Sequence, residues 1–417
     1  MARKMKDSGI EWIGEIPEGW RITTIGRLFG ATAGGDVKPQ LYSDIQDSQH
    51  PYPVFTNSSN REQVYAYTSK PMFTSNTITV TGRGDIGHAF FRDMSYDAII
   101  RLLVLTPKFD LDCRYYAYWI DNVISFFTNG SAVAQLSAQQ VLPYKIAFLP
   151  ISQQHVIANH LDFSCHQIDA VLSKIRTSIE EYKKLKQAVI TQAVTKGVRG
   201  EREMKDSGVE WIGKIPKEFN SVQLKFFCKL ITDGTHFSPN TVEIGLPYIT
   251  AGDVHGIGLD YNSAKRISEE DFQLLVAQGC QPLKGDVLLV KDGATTGRVG
   301  FVNSDTPCVI LSSVAMLRPA DNTDGHYLMY LLESDFLQKQ ILVSMAGSAM
   351  PRTTLTKLTK YIGLFPPPYE QKEIADYLDA KCAEIDGLIA KKEQLVKELE
   401  SYKKSLIYEV VTGKREV

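Results

Sequence analysis

Four polar loops in the sequence carry side chains that could bind a nucleic acid. They are "TNSSNREQ" (56–63), "TGRGDIGH" (81–88), "TDGTHFSPN" (232–240) and "KDGATTGR" (291–298). Arginine is suited to guanine edges and phosphates, and asparagine or glutamine to adenine, so glycine-containing loops of this composition can follow DNA. The candidate contacts are Asn60, Arg61, Arg83, His88, His236, Lys291, Thr296 and Arg298, with Arg352 farther along the chain. Each residue alone is better explained as a solvated loop position, so the prediction depends on the whole set.

Motifs for catalysis are weak or missing. "GRGDIG" (82–87) matches the G-x-G-x-x-G pattern of dinucleotide-binding folds, but "HAFF" follows it and favours a strand over the required helix. We therefore predict a turn that joins two strands. "PPPYEQ" (366–371) resembles a methyltransferase motif, yet proline stands where that motif needs a hydrogen-bond acceptor. The sequence contains neither a P-loop nor H-E-x-x-H. An enzyme acting alone is therefore disfavoured.

Composition is that of an ordinary globular protein. The 417 residues are 43% apolar and 23% charged, and because a single core stops growing near roughly 250–300 residues, two or more domains are expected. A formal charge of -2 means that any nucleic-acid surface is local or is completed by another chain. The six cysteines form no zinc-ligand pattern, so no metal site is expected. No apolar run approaches the roughly 20 residues of a bilayer span, and no secretory signal is seen, so we expect a cytoplasmic protein without membrane contact.

The sequence contains a large internal repeat. "MKDSGIEWIGEIPEGW" (5–20) recurs as "MKDSGVEWIGKIPKEF" (204–219), with 11 of 16 residues identical. A second match aligns 130–195 with 347–412 and includes "GSA" in both copies. The intervening segments, 21–129 and 220–346, show no comparable match. Each half therefore keeps a common frame and has a different insert.

The frame of each half ends in a predicted long helix. Apolar residues recur every seven positions, which is typical of a helix packed on another helix, and each helix is expected to span about 42 residues. The core positions are Leu161, Ile168, Ile175, Tyr182 and Val189 in the first helix and Leu378, Ile385, Leu399 and Leu406 in the second. Flanking core positions are Leu172, Ile179, Leu185, Ile389, Leu395, Val396 and Tyr402. Because one apolar stripe cannot stay exposed over such a length, the two helices are predicted to pack on each other.

The inserts are predicted to be mixed domains of strands and helices. "NTITVTGRGDIGHAFF" (76–91), "KGDVLLVKDGATTGRVGFV" (284–302) and "PCVILSSVAML" (307–317) are short β-rich runs separated by turns, and "AIIRLLVL" (98–105) is predicted to be one buried strand. Residues 113–129 and 325–342 are predicted to be helical. The predicted fold class is α+β, with two mixed domains separated by two long helices packed as an antiparallel coiled coil in a pseudo-two-fold repeat. The predicted boundaries are 1–150, 151–200, 201–366 and 367–417.

The combination of repeated features resembles the specificity subunit of type I restriction-modification enzymes. The resemblance is carried by the paired openings, by paired joints (Gly347, Ser348, Ala349, Pro367, Glu370 and Gln371 in the second copy), and by helices ending "AVTKG" and "VVTGK". In the first joint Gln153 replaces the glutamate and Leu149 stands where Pro366 does in the second. The resemblance covers essentially the whole chain.

The resemblance implies a role in DNA recognition. Segments 1–150 and 201–366 would be target recognition domains that each recognise one half of a bipartite sequence in double-stranded DNA, and the helices at 151–200 and 367–417 would be spacers that set the gap. It implies a non-catalytic subunit that binds no cofactor itself. Its partners would be two methylation subunits and the restriction subunits, and S-adenosylmethionine, ATP and magnesium would be bound by those partners. The alternative interpretation is a coiled-coil adaptor that binds proteins and no DNA.

Overall fold

The computed structural model describes residues 4–126, 135–345 and 351–417. The "GSA" markers at 130–132 and 347–349 lie outside the described residues. The first half contains strands β1 (Met5–Asp7), β2 (Glu15–Pro17), β3 (Arg21–Thr24), β4 (Phe29–Ala33), β5 (Tyr42–Ser43), β6 (Tyr52–Phe55), β7 (Val64–Thr68), β8 (Thr77–Thr81), β9 (Ala89–Arg92), β10 (Asp97–Ala98), β11 (Leu102–Pro107) and β12 (Lys145–Phe148). Its helices are α1 (Ile25–Leu28), α2 (Cys113–Val123), α3 (Ala138–Val141) and the long α4 (Ile151–Lys196).

The second half follows a similar order of elements. Its strands are β13 (Met204–Asp206), β14 (Lys214–Pro216), β15 (Asn220–Gln223), β16 (Cys228–Asp233), β17 (Thr241–Val242), β18 (Leu246–Ile249), β19 (Gly256–Ile257), β20 (Lys265–Ile267), β21 (Val287–Val290), β22 (Val299–Phe301), β23 (Val309–Ile310), β24 (Val314–Pro319) and β25 (Ile362–Phe365). Its helices are α5 (Glu269–Ala277), α6 (Gly325–Glu333), α7 (Asp335–Ser344), α8 (Leu355–Leu358) and the long α9 (Pro368–Val411). The chain is therefore α+β.

Contacts divide the chain into two compact units. The first unit comprises 1–176 and 394–417, and the second comprises 177–393. Each unit therefore combines one β-rich domain with a segment of α4 and a segment of α9. This grouping differs from the four consecutive segments predicted from the sequence, because the side chains at the helix ends pack into the cores of the β-rich domains.

The two inserts share one topology although their sequences do not match. In the first unit one sheet has the order β4-β11-β8-β9 and the other β10-β6-β7-β5. In the second unit the corresponding orders are β16-β24-β21-β22-β19 and β23-β18-β20-β17. The pair β10–β6 is parallel, as is its counterpart β23–β18. Strand β19 and helix α5 have no counterpart in the described part of the first unit. The internal repeat therefore includes the inserts at the level of fold, although not at the level of sequence.

A glycine at the same place in both inserts shows how strictly this topology is specified. The N–H groups of Gly34 and Gly234 donate to the carbonyl oxygens of Leu102 and Val314. A Cβ at either position would overlap the carbonyl oxygen of the neighbouring chain segment, at Ala98 in the first unit and at Ile310 in the second. Only glycine allows the strand to approach this closely.

Three local predictions were wrong in detail. The run "AIIRLLVL" is not one strand: a turn splits it between two sheets, and Arg101 lies in the left-handed region with φ of 78°. The predicted helix at 325–342 consists of α6 and α7, which are separated at Ser334. The helix predicted at 113–129 ends at Val123. Each error has the same cause, since backbone direction at a single residue depends on tertiary contacts that periodicity does not encode.

The two long helices extend over 46 and 44 residues. None of the nine predicted core residues is exposed, whereas the flanking residues Leu185, Leu395 and Tyr402 are exposed and that part of the prediction was wrong. In the first unit Lys403 pairs with Asp169 at 2.7 Å and Arg176 with Glu400 at 2.5 Å. In the second unit Lys186 pairs with Asp386 at 2.6 Å, and Lys392 lies over the Tyr182 ring. Within each unit, the segments of α4 and α9 therefore run in opposite directions.

A repeated hydrogen bond joins each β-rich domain to a long helix. In the first unit Tyr118 on α2 donates its hydroxyl to Asp162 on α4 at 2.9 Å. In the second unit Tyr330 on α6 donates to Asp379 on α9 at 2.8 Å. Each aspartate has a second basic neighbour: Arg114 pairs with Asp162, and His326 contacts Asp379. Each domain is thus attached to its own helix by an equivalent polar joint.

Glu333, at the end of α6, is a half-buried acid three residues after Tyr330. Burial raises its pKa from 4.5 to about 7, with Asp386 adding to the rise and Lys186 opposing it. The folded unit therefore favours the protonated carboxyl. Since the folded pKa is above the unfolded pKa, the stabilisation is complete below about pH 4.5 and is lost as the pH rises through 7.

Substituting Glu333→Gln should remove this pH dependence. Between pH 5 and pH 8 we expect the unfolding free energy of the wild-type second unit to fall by up to about 3 kcal/mol from this group, at about 1.36 kcal/mol per pKa unit. The variant should lack this fall, as measured by calorimetric unfolding across that range. Glu181→Gln, at an exposed position on α4, is the control and should follow the wild type. Parallel pH profiles for all three proteins would contradict the assignment.

Candidate nucleic-acid interface

Two of the predicted DNA-binding loops lie side by side in the first unit, and Asn57 joins them. Loop 56–63 connects β6 to β7, and hairpin loop 82–88 connects β8 to β9. The Asn57 side-chain oxygen accepts hydrogen bonds from the N–H groups of Gly82 at 2.7 Å and Arg83 at 3.2 Å. Its amide nitrogen donates to the Arg83 carbonyl oxygen at 2.8 Å. One side chain thus fixes the two loops as a single surface.

Arg92 supports the same surface from below. Its guanidinium donates to the Arg61 carbonyl oxygen at 2.9 Å and to the Thr79 hydroxyl at 3.0 Å. It also lies over the Phe55 ring, 3.6 Å from the centroid. Burial lowers the pKa of Arg92 to about 10, which leaves it charged at neutral pH. Arg92 therefore holds the loop that carries Arg61 without itself reaching the surface.

The predicted contacts in the first unit differ in how free they are. Arg83 is half-buried, and no hydrogen bond or ion pair of its guanidinium is found within the described ranges. Arg61 is exposed and lies 3.8 Å from Glu62. Asn60 accepts from the Glu62 N–H and shapes the turn. His88 lies between two carboxylates, 3.1 Å from Asp85 and 3.5 Å from Asp121. Arg83 and Arg61 are therefore the donors best placed for a ligand.

The hairpin 291–298 of the second unit is built differently at the corresponding positions. The Lys291 N–H donates to the Ser313 carbonyl oxygen, and in the first unit the Gly82 N–H donates to the Arg101 carbonyl oxygen. Lys291 therefore occupies the position that Gly82 has in the first unit. Its side chain is only 4% exposed. The ammonium pairs with Asp292 at 2.8 Å and Asp233 at 3.3 Å. The interpretation of Lys291 as a direct contact needs correction, because its charge is buried and neutralised; its role is to hold the two aspartates.

The other predicted residues of the second unit lie near Lys291 and its two aspartates. The Thr296 hydroxyl donates to the Gly293 carbonyl oxygen at 2.7 Å and shapes the hairpin. Arg352 is exposed and pairs with Asp292 at 2.9 Å, and His236 lies 3.5 Å from Asp233. Arg298 is half-exposed, and the described part of the chain offers its guanidinium no partner. Arg298 is therefore the second unit's counterpart of Arg83 as an available donor.

Sequence reasoning missed three residues of this surface. Asn57 and Arg92 act through backbone atoms of other loops, and no spacing in the sequence indicates such contacts. Arg101 is exposed and left-handed, and its carbonyl oxygen accepts from the Gly82 N–H at 3.1 Å. A non-glycine residue in that conformation is costly and concentrates at functional sites. Arg101 therefore belongs with Arg83 and Arg61 as a candidate contact.

The surface is suited to binding a nucleic acid. Its free groups are guanidinium donors on loops held by a rigid sheet, which fits recognition of phosphates and base edges. Among the residues that the structure describes, no cluster of three or more histidine, cysteine, aspartate or glutamate side chains could hold a metal ion. In the same residues, no helix combines the length and the apolar composition that a bilayer-spanning segment needs.

Replacing Asn57 with alanine should uncouple the two loops of the first unit. The Gly82 and Arg83 N–H groups lose their acceptor, and a lost buried hydrogen bond costs about 1–3 kcal/mol. Amide exchange in 82–88 should therefore quicken by roughly 5- to 150-fold, measured by hydrogen–deuterium exchange. Asn60→Ala is a matched control in the same loop, since among the described residues its side chain accepts a hydrogen bond only from the Glu62 N–H. Unchanged exchange at 82–88 in the Asn57 variant would show that the Asn57 hydrogen bonds are not needed to hold the two loops together.

Comparison with known proteins agrees with this geometry. The family model for the type I restriction modification DNA specificity domain matches residues 17–181 and 216–398. The MjaVIII specificity subunit of a type I restriction enzyme from Methanocaldococcus jannaschii is 24% identical over 96% of this chain and 93% of its own length. A candidate type I specificity subunit of Mycoplasma pneumoniae, S.MpnORF89P, is 30% identical over 33% of this chain and 41% of its own length.

One solved structure shows the same fold. A chain in a study of the assembly and conformational transition of a type I R-M system aligns with a TM-score of 0.67 and 15% identity, covering 95% of this chain and 98% of that one. The two family matches fall on the two halves of the repeat, and together they include most of both β-rich domains. The chain belongs to the type I restriction-modification DNA specificity family.

Proposed function

We propose that this chain is the DNA-binding specificity subunit of a type I restriction-modification complex. Each target recognition domain recognises one half of a bipartite target in double-stranded DNA. The observation that carries this proposal is the repeated fold with unlike loops: both inserts have the same sheet order, but their hairpins differ at equivalent positions, as at Gly82 and Lys291. One scaffold used twice with different loop chemistry is suited to two different half-sites.

The chemistry of recognition follows from the free cations on each surface. Arg61, Arg83 and Arg101 in the first domain can donate to guanine edges or phosphates, and Arg298 does so in the second. His88 and His236 lie beside carboxylates and approach DNA from the margin of each surface. Arg352 can exchange its Asp292 partner for a phosphate. Lys291, Thr296 and Asn60 keep the loops in shape.

The long helices act as the spacer in this proposal. They form an antiparallel coiled coil that fixes the gap between the half-sites, supported by the opposed segments and cross-helix ion pairs within each unit. Two methylation subunits and the restriction subunits complete the assembly in the cytoplasm. Those partners bind S-adenosylmethionine, ATP and magnesium, while this chain supplies recognition without catalysis or a cofactor of its own.

Mapping methylation in cells tests the proposal directly. The chain is co-expressed with the methylation subunit of its system in a host that lacks adenine methylation, and N6-methyladenine is mapped across the genome. We expect a split motif with a fixed gap that disappears when this chain is omitted. A complex that assembles but neither methylates nor binds DNA in a salt-dependent way would favour the adaptor interpretation.

Single substitutions should separate the two half-sites. Arg83→Ala should relax or abolish specificity in one half only, and Arg298→Ala in the other, because each lost base contact is worth about 1–3 kcal/mol of discrimination. The same methylation maps report the result. Arg27→Ala, at an exposed position on α1 and outside the predicted DNA-binding loops, should leave the motif unchanged. Equal loss in both halves from either arginine variant would argue against separate recognition.

Shortening both helices tests the spacer. Deleting one heptad from each helix, 177–183 and 391–397, preserves the phase of the apolar stripe and shortens each by about 10 Å at 1.5 Å per residue. At roughly 3.4 Å per base pair, the gap in the target should decrease by about three base pairs with both halves intact. Deleting four residues from one helix alone disturbs the phase and should lower stability. An unchanged gap in the heptad variant would refute the spacer role of the helices.

A further inference from the structure

The repeated opening contains two exposed residues that no folding requirement explains. Eleven residues are identical between 5–20 and 204–219. Among them, Glu11 and Trp12 in the first copy, and Glu210 and Trp211 in the second, are exposed in both units. Trp12 is 63% exposed and Trp211 is 59% exposed. Within residues 4–126, 135–345 and 351–417, none of these four side chains makes a hydrogen bond or an ion pair.

The neighbouring identical residues fold the turn and anchor it. Asp7 and Asp206 accept hydrogen bonds from the N–H groups two residues later, at 2.9 Å and 2.8 Å. Ser8 and Ser207 do the same, both at 3.1 Å. Four glycines have positive φ between 67° and 71°: Gly9, Gly14, Gly208 and Gly213. The isoleucines at 13, 16, 212 and 215 are all buried.

The turn has the same backbone geometry in both units. In the first, the Ser8 N–H donates to the Gly14 carbonyl oxygen, and the N–H groups of Ile13 and Gly14 both donate to the Ile10 carbonyl oxygen. In the second, the corresponding donors at 207, 212 and 213 repeat that pattern. Both tryptophans therefore project from an equivalent rigid turn, and buried isoleucines follow each of them. A rigid turn that presents a large aromatic side chain is typical of an interface anchor, since tryptophan is enriched among interface residues that dominate affinity.

The repeated Glu–Trp pair also indicates which kind of molecule binds it. A glutamate beside each indole disfavours contact with the DNA backbone, so the occupant is a protein. Self-association is disfavoured as well: a chain with two equivalent self-complementary patches would link into open polymers, whereas separate partner chains close the assembly. Two equivalent anchors on one chain require two copies of one partner.

We propose that Glu11–Trp12 and Glu210–Trp211 are two equivalent docking anchors, each bound by one copy of the same methylation subunit. The partner surface contains an apolar pocket with an acceptor for the indole N–H and a basic residue opposite the glutamate. This inference rests on the proposed function, since it concerns the partner of a specificity subunit. It adds the location of the contact on this chain and explains why this phrase, and not the loops, is kept identical.

Titration of the methylation subunit against the full chain tests the proposal. Native mass spectrometry gives the stoichiometry, and the dissociation constant of each step is measured in parallel. We expect two subunits per wild-type chain. Trp12→Ala or Trp211→Ala should leave one tight site and weaken the other by roughly 30-fold, as for an interface hot spot. The double variant should be weakened at both sites, and Glu11→Lys with Glu210→Lys should show the same direction.

Matched controls separate docking from folding. Ile45→Ala with Ile244→Ala removes one exposed apolar side chain from each unit outside the repeat and should leave binding unchanged. The melting temperature of every variant should match that of the wild type, because the tryptophans are exposed. Wild-type binding with equal affinity in the double tryptophan variant would overturn the anchor assignment alone. A wild-type chain that binds no methylation subunit would overturn the proposed function with it.

Discussion

The first unit depends on a contact between the two ends of the chain. Leu406, Ile407, Val410 and Val411, at the end of α9, are buried in one core with Ile13, Ile16 and Trp20 from the beginning of the sequence. The Tyr115 hydroxyl donates to the Val411 carbonyl oxygen at 3.0 Å, across 296 residues. Full burial of an aliphatic side chain contributes about 1.5–3 kcal/mol, so these four stabilise the unit substantially. The first recognition domain therefore has a complete core only after helix α9 has been synthesised.

The second unit has an equivalent core that does not depend on a contact between the two ends of the chain. Ile190 and Val194, at the end of α4, pack with Ile212, Ile215 and Phe219, which follow a short distance later in the sequence. All of its residues are contiguous, from 177 to 393. Since closing a long loop costs entropy before native contacts compensate for it, this unit is expected to fold first. The repeat is thus symmetric in structure and asymmetric in how it is assembled.

The recognition domains combine a constant scaffold with variable support of their loops. Asn57 joins the two loops of the first domain through three hydrogen bonds, whereas the second domain uses the buried Lys291 between Asp233 and Asp292. Both solutions hold a hairpin in the same position of the same sheet. Because the support lies beneath the surface, the exposed donors can differ between the domains without a change of fold. This separation lets one architecture carry two unlike loop surfaces.

The sequence by itself determined the duplication, the long helices and the family, because repetition and heptad spacing are local patterns that survive divergence. The tertiary structure decided which charged residues are free. Arg83 and Lys291 look alike in sequence, yet the first is available and the second is neutralised by two carboxylates, one of them 58 residues away. It also decided the turn at Arg101 and the shared topology of the inserts. Burial, ion pairing and backbone conformation at these positions depend on residues distant in the chain, and no local pattern contains that information.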